Sequence, residues 1–308
     1  MQVRIRVSDG FAMRILFACC VSAVCAFSPV ASAADSSPAT APQHHPLWSI
    51  QGKTNKVYLL GSVHFLSPSE QLPEAIDAAY RDAEALVMEI DMDDLDPAGA
   101  QQTALELGML PADQTLEQQI GADGYARLIA QTRELGIDAN VLSRFRPWFA
   151  AMTLVQLQLM KMGLDPNAGV EQRLTARAGS DGKPIQGLES LEQQLGMLAQ
   201  LPAEQQREFL MYSIEDSQRM TQEIGDLLSA WRRGDSAALA ALLAEGFDKY
   251  PDLYRPLTVE RNRRWIGDIE ALLDDRDDYL VVVGTLHLVG ADSVIELLER
   301  NGHTVTQH

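Results

Sequence analysis

Two segments far apart in the chain carry the same text. Val57-Tyr58-Leu59-Leu60-Gly61-Ser62-Val63-His64-Phe65 and Leu280-Val281-Val282-Val283-Gly284-Thr285-Leu286-His287-Leu288 share one order of residue types. Each is an apolar run, a glycine, a hydroxyl residue, an aliphatic residue, a histidine and another apolar residue. An unbroken apolar run of this length is the pattern of a strand covered on both faces. Glycine at the strand end permits the tight or positive-φ backbone that turns the chain. Each histidine then lands just beyond the carboxyl edge of its strand, where α/β sheets bind their ligands. If the two strands are neighbours, both ends of the chain enter one sheet and the two imidazoles face one crevice.

The text around these strands fits that frame. Leu47 to Gln51 and Lys56 to Val63 read as two strands joined by Gly52-Lys53-Thr54-Asn55, a turn with the Gly and Asn that hairpins favour. A helix is expected from Pro73 to Ala83, with proline at its start. Ala85 to Ile90 reads as the next buried strand, so strand, helix and strand form a βαβ unit with a parallel pair. Pro97 to Ala178 is helical in pattern, with breaks at Pro111, Gly121, Gly136 and Gly163. Lys183 to Leu188 is a short strand. Leu191 to Leu243 returns to helix, broken near Leu201-Pro202, and Val259 to Leu273 is a further amphipathic helix. Tyr279 to Val283, Ser293 to Asn301 and His303 to Thr306 close the chain as strand, helix and strand. The expected fold class is α/β, a mixed central sheet built from both chain ends with a large helical insertion between them.

Composition narrows what such a fold serves. The chain has 308 residues and a formal net charge of −18. An acidic surface repels polyanions, so nucleic acid and anionic membrane surfaces are excluded as partners. Residues 1–33 read as a signal peptide: Arg4, Arg6 and Arg14 form a basic region, Ile15 to Phe27 an apolar one, and Ala31-Ser32-Ala33 a cleavage site. The apolar run is too short for a membrane span, so the mature chain has none. A lipobox-like Leu16-Phe17-Ala18-Cys19 is the alternative, but it leaves almost no apolar region before the cysteine. All three cysteines (Cys19, Cys20, Cys25) leave with the signal, so the mature protein has no disulfide, thiolate ligand or cysteine nucleophile. Ala34 to His45 reads as a flexible leader, with His44 and His45 either solvated or a metal-binding tail. The folded domain spans residues 46–308.

Glu89 supplies a third chemical group. It lies near the end of the strand after the first Gly-x-x-His segment, between Met88 and Ile90, where a carboxylate is costly unless paired or metal-bound. His64, His287 and Glu89 form a ligand set suited to a divalent ion such as Mn²⁺, Co²⁺ or Zn²⁺. Such an ion lowers the pKa of bound water and polarises a carbonyl. The competing reading makes each histidine a cap or core residue and Glu89 the buried partner of an arginine, Arg261 for example. Asp91-Met92-Asp93-Asp94-Leu95-Asp96 lacks the glycine and terminal glutamate of a calcium loop and reads as a solvated turn before a helix.

These residues resemble the TraB/GumN family, which includes the Tiki proteins. The resemblance rests on Gly61-Ser62-Val63-His64, Gly284-Thr285-Leu286-His287 and Glu89. It extends to Met162-Gly163-Leu164-Asp165 with Gly169-Val170-Glu171, to Lys183-Pro184-Ile185, to Gly187-Leu188-Glu189 with Glu192-Gln193, and to Glu260-Arg261-Asn262. It implies a fold related to erythromycin esterase-like and ChaN-like proteins, a periplasmic location and, through the Tiki members, a metal-dependent peptidase acting on a peptide or protein substrate. Beside the ligands His64, Glu89 and His287, Glu189 is then the candidate general base or fourth ligand. Arg261 is the candidate for stabilising oxyanion charge, or for pairing with Glu89 or Glu189; its plain alternative is a helix-surface ion pair. The ChaN likeness offers a second class, a haem- or iron-binding protein with His64 or His287 as axial ligand. A non-catalytic envelope or plasmid-associated accessory protein is a third.

Overall fold

The apolar runs of the two matched segments do become the centre of the sheet. In the computed structural model, which describes residues 44–214, 217–247 and 251–308, β1 is Leu47–Gln51, β2 Lys56–Ser62, β3 Ala85–Met88, β4 Ile185–Gly187, β5 Tyr279–Gly284 and β6 Val305–Gln307. The signal peptide and all of the leader before His44 lie outside the described residues. The strand order is β4-β3-β5-β2-β1-β6. β2, β3, β4 and β5 run parallel, and the hairpin β1–β2 and the closing pair β1–β6 are antiparallel. The sheet is therefore mixed and built from both chain ends, as the repeated text implies.

One adjacency differs from the βαβ expectation. β2 and β3 are parallel but do not pair, because β5 lies between them. β5 is buried along its whole length, and its central valines are sealed from solvent. Such a strand needs a neighbour on each edge as well as a cover on each face, and β2 and β3, equally apolar, provide the two edges.

Helices follow their local signals. The helix α1, Glu74–Asp82, joins β2 to β3. Between β3 and β5 come α2 (Pro97–Gly108), α3 (Leu116–Glu134), α4 (Pro147–Lys161), α5 (Val170–Asp181), α6 (Leu191–Ala199), α7 (Ala203–Ile214), α8 (Ser217–Arg232) and α9 (Ser236–Phe247). Asp96 caps α2 through Ala98 N–H and Gly99 N–H, so the acidic run before it is partly a helix cap. Thr115 with Gln118 and Ser190 with Gln193 form reciprocal capping boxes on α3 and α6. Gly121, Gly136 and Gly163 all take positive φ, and Gly121 kinks α3. After Pro251–Tyr254 the chain widens into a π turn at Arg255–Val259 and continues as α10, Glu260–Leu272. α11 is Val294–Arg300, capped by Ser293. No helix among the described residues is long and apolar enough to cross a membrane.

The end of the leader is tied down. His45 N–H donates to the carbonyl of His308 at 2.5 Å, and Gln307 Nε2 donates to the His45 carbonyl at 3.0 Å. His45 is thus held against the end of the chain.

Two glycines separate close approach from mere helix composition. A Cβ on Gly169 would collide with the His64 carbonyl, whereas one on the exposed, helical Gly179 would meet nothing within 4 Å. Gly169→Ala should destabilise by about 1–3 kcal/mol through overpacking, and Gly179→Ala should stabilise by roughly 0.5–1 kcal/mol through helix propensity. Urea unfolding of the two variants checks both signs.

Candidate functional site

The register of the parallel strands sets the site. Ser62 pairs with Gly284 and Met88 with Val282, so β2, β5 and β3 end at nearly one level. The residues that follow are His64, Thr285 to His287, and Glu89, and all emerge at one carboxyl edge. Gly61 allows the two matched segments to touch there, since a Cβ on it would stand 2.5 Å from Thr285 Oγ1. Trp231 Nε1, from α8, donates to the Gly61 carbonyl at 2.8 Å and closes this edge from above.

Glu89 is buried just past β3 and fully engaged. Its Oε1 accepts the Gly284 N–H at 2.7 Å, and its Oε2 accepts Arg261 Nη2 at 2.6 Å and Gln194 Nε2 at 3.0 Å. Burial alone would raise its pKa. The positive charge of Arg261, with His287, His64 and the Gly284 amide, overcomes that and holds the carboxyl at about 2.

Glu189 arrives beside it because the chain keeps pairing beyond β4. Leu188 N–H donates to the Met88 carbonyl at 2.8 Å, and Glu189 N–H to that of Glu89 at 2.9 Å. Its carboxylate accepts Arg261 Nε at 3.3 Å, a close contact from Arg261 Nη2, and Gln194 Nε2 at 3.1 Å. Burial pushes this carboxyl up, the Arg261 contacts only partly offset it, and the neighbouring Glu89 charge adds to it.

Arg261 holds the cluster. It lies in the first turn of α10, just after the π turn, and only 1% of its side chain is exposed. π turns frequently occur at functional sites, and this one supplies the Leu257 carbonyl, 3.5 Å from Arg261 Nη1. The guanidinium also lies 4.7 Å from the Trp265 ring centroid, one helical turn on. The helix-surface reading of Arg261 is therefore overturned: the exposed positions of this turn are Arg263 and Arg264. Its pairing with both Glu89 and Glu189 is present.

His287 completes the network on the turn after β5. Asn262 Nδ2 donates to the Asp292 carbonyl at 2.7 Å, which leaves Oδ1 facing His287 Nδ1 at 2.6 Å. An amide oxygen only accepts, so Nδ1 carries the proton and Nε2 presents a lone pair. Arg261 Nη1 donates to that Nε2 at 3.0 Å. Burial, reinforced by the Arg261 charge, lowers the imidazole to about 3, so it is neutral at physiological pH.

His64 sits on the adjacent strand but in a second network. Its Nδ1 is 3.1 Å from Glu171 Oε1, the oxygen that also accepts the Ser62 hydroxyl. Glu171 is buried in the first turn of α5, and that helix start is fixed by Val170 N–H donating to the Val63 carbonyl at 3.1 Å.

The arrangement gathers Glu89, Glu189, Arg261 and His287 by direct bonds and places His64 close enough to influence Glu89 and His287 electrostatically. Among the described residues, no three His, Cys, Asp or Glu side chains form a ready-made ion cage. Glu89 Oε1 and His287 Nε2 are 4.0 Å apart, wider than the roughly 3.4 Å between two tetrahedral ligands of one ion, and they accept the Gly284 N–H and Arg261 Nη1 respectively. A cleft of about 610 Å³ reaches Glu189 from outside, with Asp91, Asp94, Asp96 and Ser190 on its walls. In it, burial and the adjacent Asp93 push the Asp91 carboxyl up to about 6.

The family can now be stated. The TraB/PrgY/gumN family profile matches residues 46–307, which takes in every residue of this edge. The chain belongs to the TraB/PrgY/gumN family. Among its relatives are the uncharacterized YbaP proteins of Escherichia coli (strain K12) and Shigella flexneri, each 28% identical over 242 residues, 78% of this chain and 87% of theirs. An uncharacterized protein of Treponema pallidum is 26% identical over 276 residues, 82% of this chain and 80% of its own. No solved structure matches this TraB/PrgY/gumN chain.

Sequence reasoning reached Glu89, Glu189, Arg261 and both histidines but gave no role to Ser62, Glu171, Gln194 or Asn262. Asn262 carried a signal in its place beside Arg261, and Glu171 in lying two residues after Gly169. Ser62 carried one as the hydroxyl residue of its Gly-x-x-His segment, and Gln194 carried none.

Two measurements test the electrostatics. Arg261→Met should cost about 3–5 kcal/mol at pH 7, since it strands buried carboxylates; adding Glu89→Gln and Glu189→Gln should recover most of that. The second concerns acid. His287 is depressed from 6.5 to about 3, so below pH 6.5 the unfolded chain gains a proton that the folded chain refuses. Stability of the chelator-treated protein should therefore fall as pH drops, by about 2 kcal/mol between pH 6.5 and 5 from this group. Glu89, depressed from 4.5 to about 2, adds a further loss below pH 4.5. Urea titrations should show a shallower loss between pH 6.5 and 5 in His287→Asn.

Proposed function

We propose that the protein is a metal-dependent hydrolase of the periplasm, acting on peptide bonds. The observation that carries this reading is the pair of unprotonated donors, Glu89 Oε1 and His287 Nε2, held 4.0 Å apart at a buried sheet edge. His64 on the neighbouring strand is the third donor. Two imidazole nitrogens and a carboxylate suit Mn²⁺, Co²⁺ or Zn²⁺ in donor type and charge. A divalent ion held there supplies Lewis acidity toward a carbonyl and a water acidic enough to ionise near neutrality.

The remaining residues have work that depends on their own chemistry. Glu189 lines the cleft, and its raised carboxyl is a better proton acceptor than an ordinary surface glutamate. Arg261 brings permanent positive charge to the place where a carbonyl oxygen would become negative. Gln194 bridges Glu89 and Glu189 and keeps both carboxylates oriented. The acidic walls of the cleft favour a peptide over any anionic substrate.

Melting in chelator and in Mn²⁺, Co²⁺ or Zn²⁺ tests the ion. At one hundred times Kd, the metal should stabilise the wild type by about 2.7 kcal/mol. His64→Ala, Glu89→Ala and His287→Ala should show little metal-dependent shift, and the double variant His44→Ala with His45→Ala should keep it. If the double variant loses the shift and the other three retain it, the leader binds the metal and the reading fails. Peptide-library digestion followed by mass spectrometry should detect metal-dependent cleavage that Glu189→Gln lowers by at least a hundredfold. Export has its own check: protein from the periplasmic fraction should begin at Ala34.

A further inference from the structure

The two Gly-x-x-His histidines are anchored in the same way by residues unrelated in sequence. We propose that Glu171 and Asn262 are positioning residues that fix both imidazoles as the Nδ1–H tautomer, leaving Nε2 as the nitrogen each presents for chemistry. The proposal rests on the hydrolase reading only in what Nε2 is used for.

For His287 the assignment is forced by hydrogen-bond logic. Asn262 has its amide nitrogen committed to the Asp292 carbonyl, so only its oxygen remains for Nδ1. On the other side of the ring, Arg261 Nη1 is an obligate donor 3.0 Å from Nε2. Both contacts demand a proton on Nδ1 and none on Nε2. For His64, Glu171 Oε1 lies 3.1 Å from Nδ1 and is the same oxygen that accepts the Ser62 hydroxyl, so it meets the ring as an acceptor.

The supports are built, not incidental. Glu171 and Asn262 are themselves buried, at 7% and 0% exposure. Glu171 is held by the Ser62 hydroxyl of the same Gly-x-x-His segment. The lack of a side chain at Gly169 lets α5 begin against the His64 carbonyl, which brings Glu171 to the ring. Asn262 follows Arg261 directly, so α10 delivers the anchor of His287 and the partner of its other nitrogen together. A metal-ligating histidine commonly donates its second ring N–H to such an acceptor, and losing it typically costs 10–100-fold in metal affinity or activity.

The test is ¹⁵N NMR of the full chain labelled at histidine, in chelator, where ring shifts and couplings identify the protonated nitrogen. Wild type should show Nδ1–H at both His64 and His287. Glu171→Ala should release His64 alone toward a mixed tautomer, and Asn262→Ala should do the same to His287 alone. The unaffected histidine in each variant reports that the site is still folded. Glu171→Gln and Asn262→Asp keep an acceptor oxygen and should restore the Nδ1–H form. Nε2–H in the wild type, or an unchanged tautomer in a folded Ala variant, overturns the proposal. Titration with Co²⁺ forms the second arm, in which each Ala variant should bind 10–100-fold more weakly than wild type. A wild type that binds no metal sinks the hydrolase reading, while the tautomers still decide the positioning roles.

Discussion

The cluster of Glu89, Glu189 and His287 at the carboxyl edge depends on one buried guanidinium. Arg261 bonds to Glu89, Glu189 and His287, which belong to three different stretches of chain. A lysine could not replace it. An ammonium has no fixed fork to meet two carboxylates and an imidazole together, and burial would strip its proton more readily. Nor does stability alone account for the cluster, because well-packed apolar residues are often at least as stabilising as a buried ion network. Two carboxylates and an imidazole with perturbed proton affinities, beside an open cleft, mark this edge as the candidate functional site.

The matched segments are alike in sequence and unlike in surroundings. His64 is backed by a carboxylate and His287 by an amide, and His287 also touches Arg261. The repeat supplies two parallel strands whose last residues, Ser62 and Gly284, pair. The insertion then decides what each imidazole experiences, through α5 on one side and α10 on the other. Similar backbones thus yield two histidines in different hydrogen-bond networks.

The sheet was legible because its signals are local and strong. Unbroken apolar runs marked β2, β3 and β5, and glycines at 121, 136 and 163 marked backbone that no other residue adopts cheaply. The placement of β5 between β2 and β3 was not legible, since nothing local says which of several buried strands pair. The burial of Arg261 was concealed by Arg263 and Arg264, which make the turn look solvated. Trp265 was the usable clue: a large aromatic residue four positions on marks the inward face, and Arg261 lies on that face. Glu171 and Gln194 act across separations of more than one hundred residues, and no spacing rule reaches that far.

The helical insertion is therefore part of the site and not an appendage to it. Glu171, Glu189, Gln194, Arg261 and Asn262 all lie between β3 and β5 in sequence, and each meets a group that the terminal strands present. The strands alone would leave Glu89 buried without a cation and both imidazoles without an orienting partner, a state that costs several kcal/mol for the carboxylate alone. The insertion alone would leave Arg261 with Glu189 but without Glu89 and His287. Neither half makes a satisfied interior without the other, because the carboxylate and imidazoles of the sheet edge and the groups that hold them come from both.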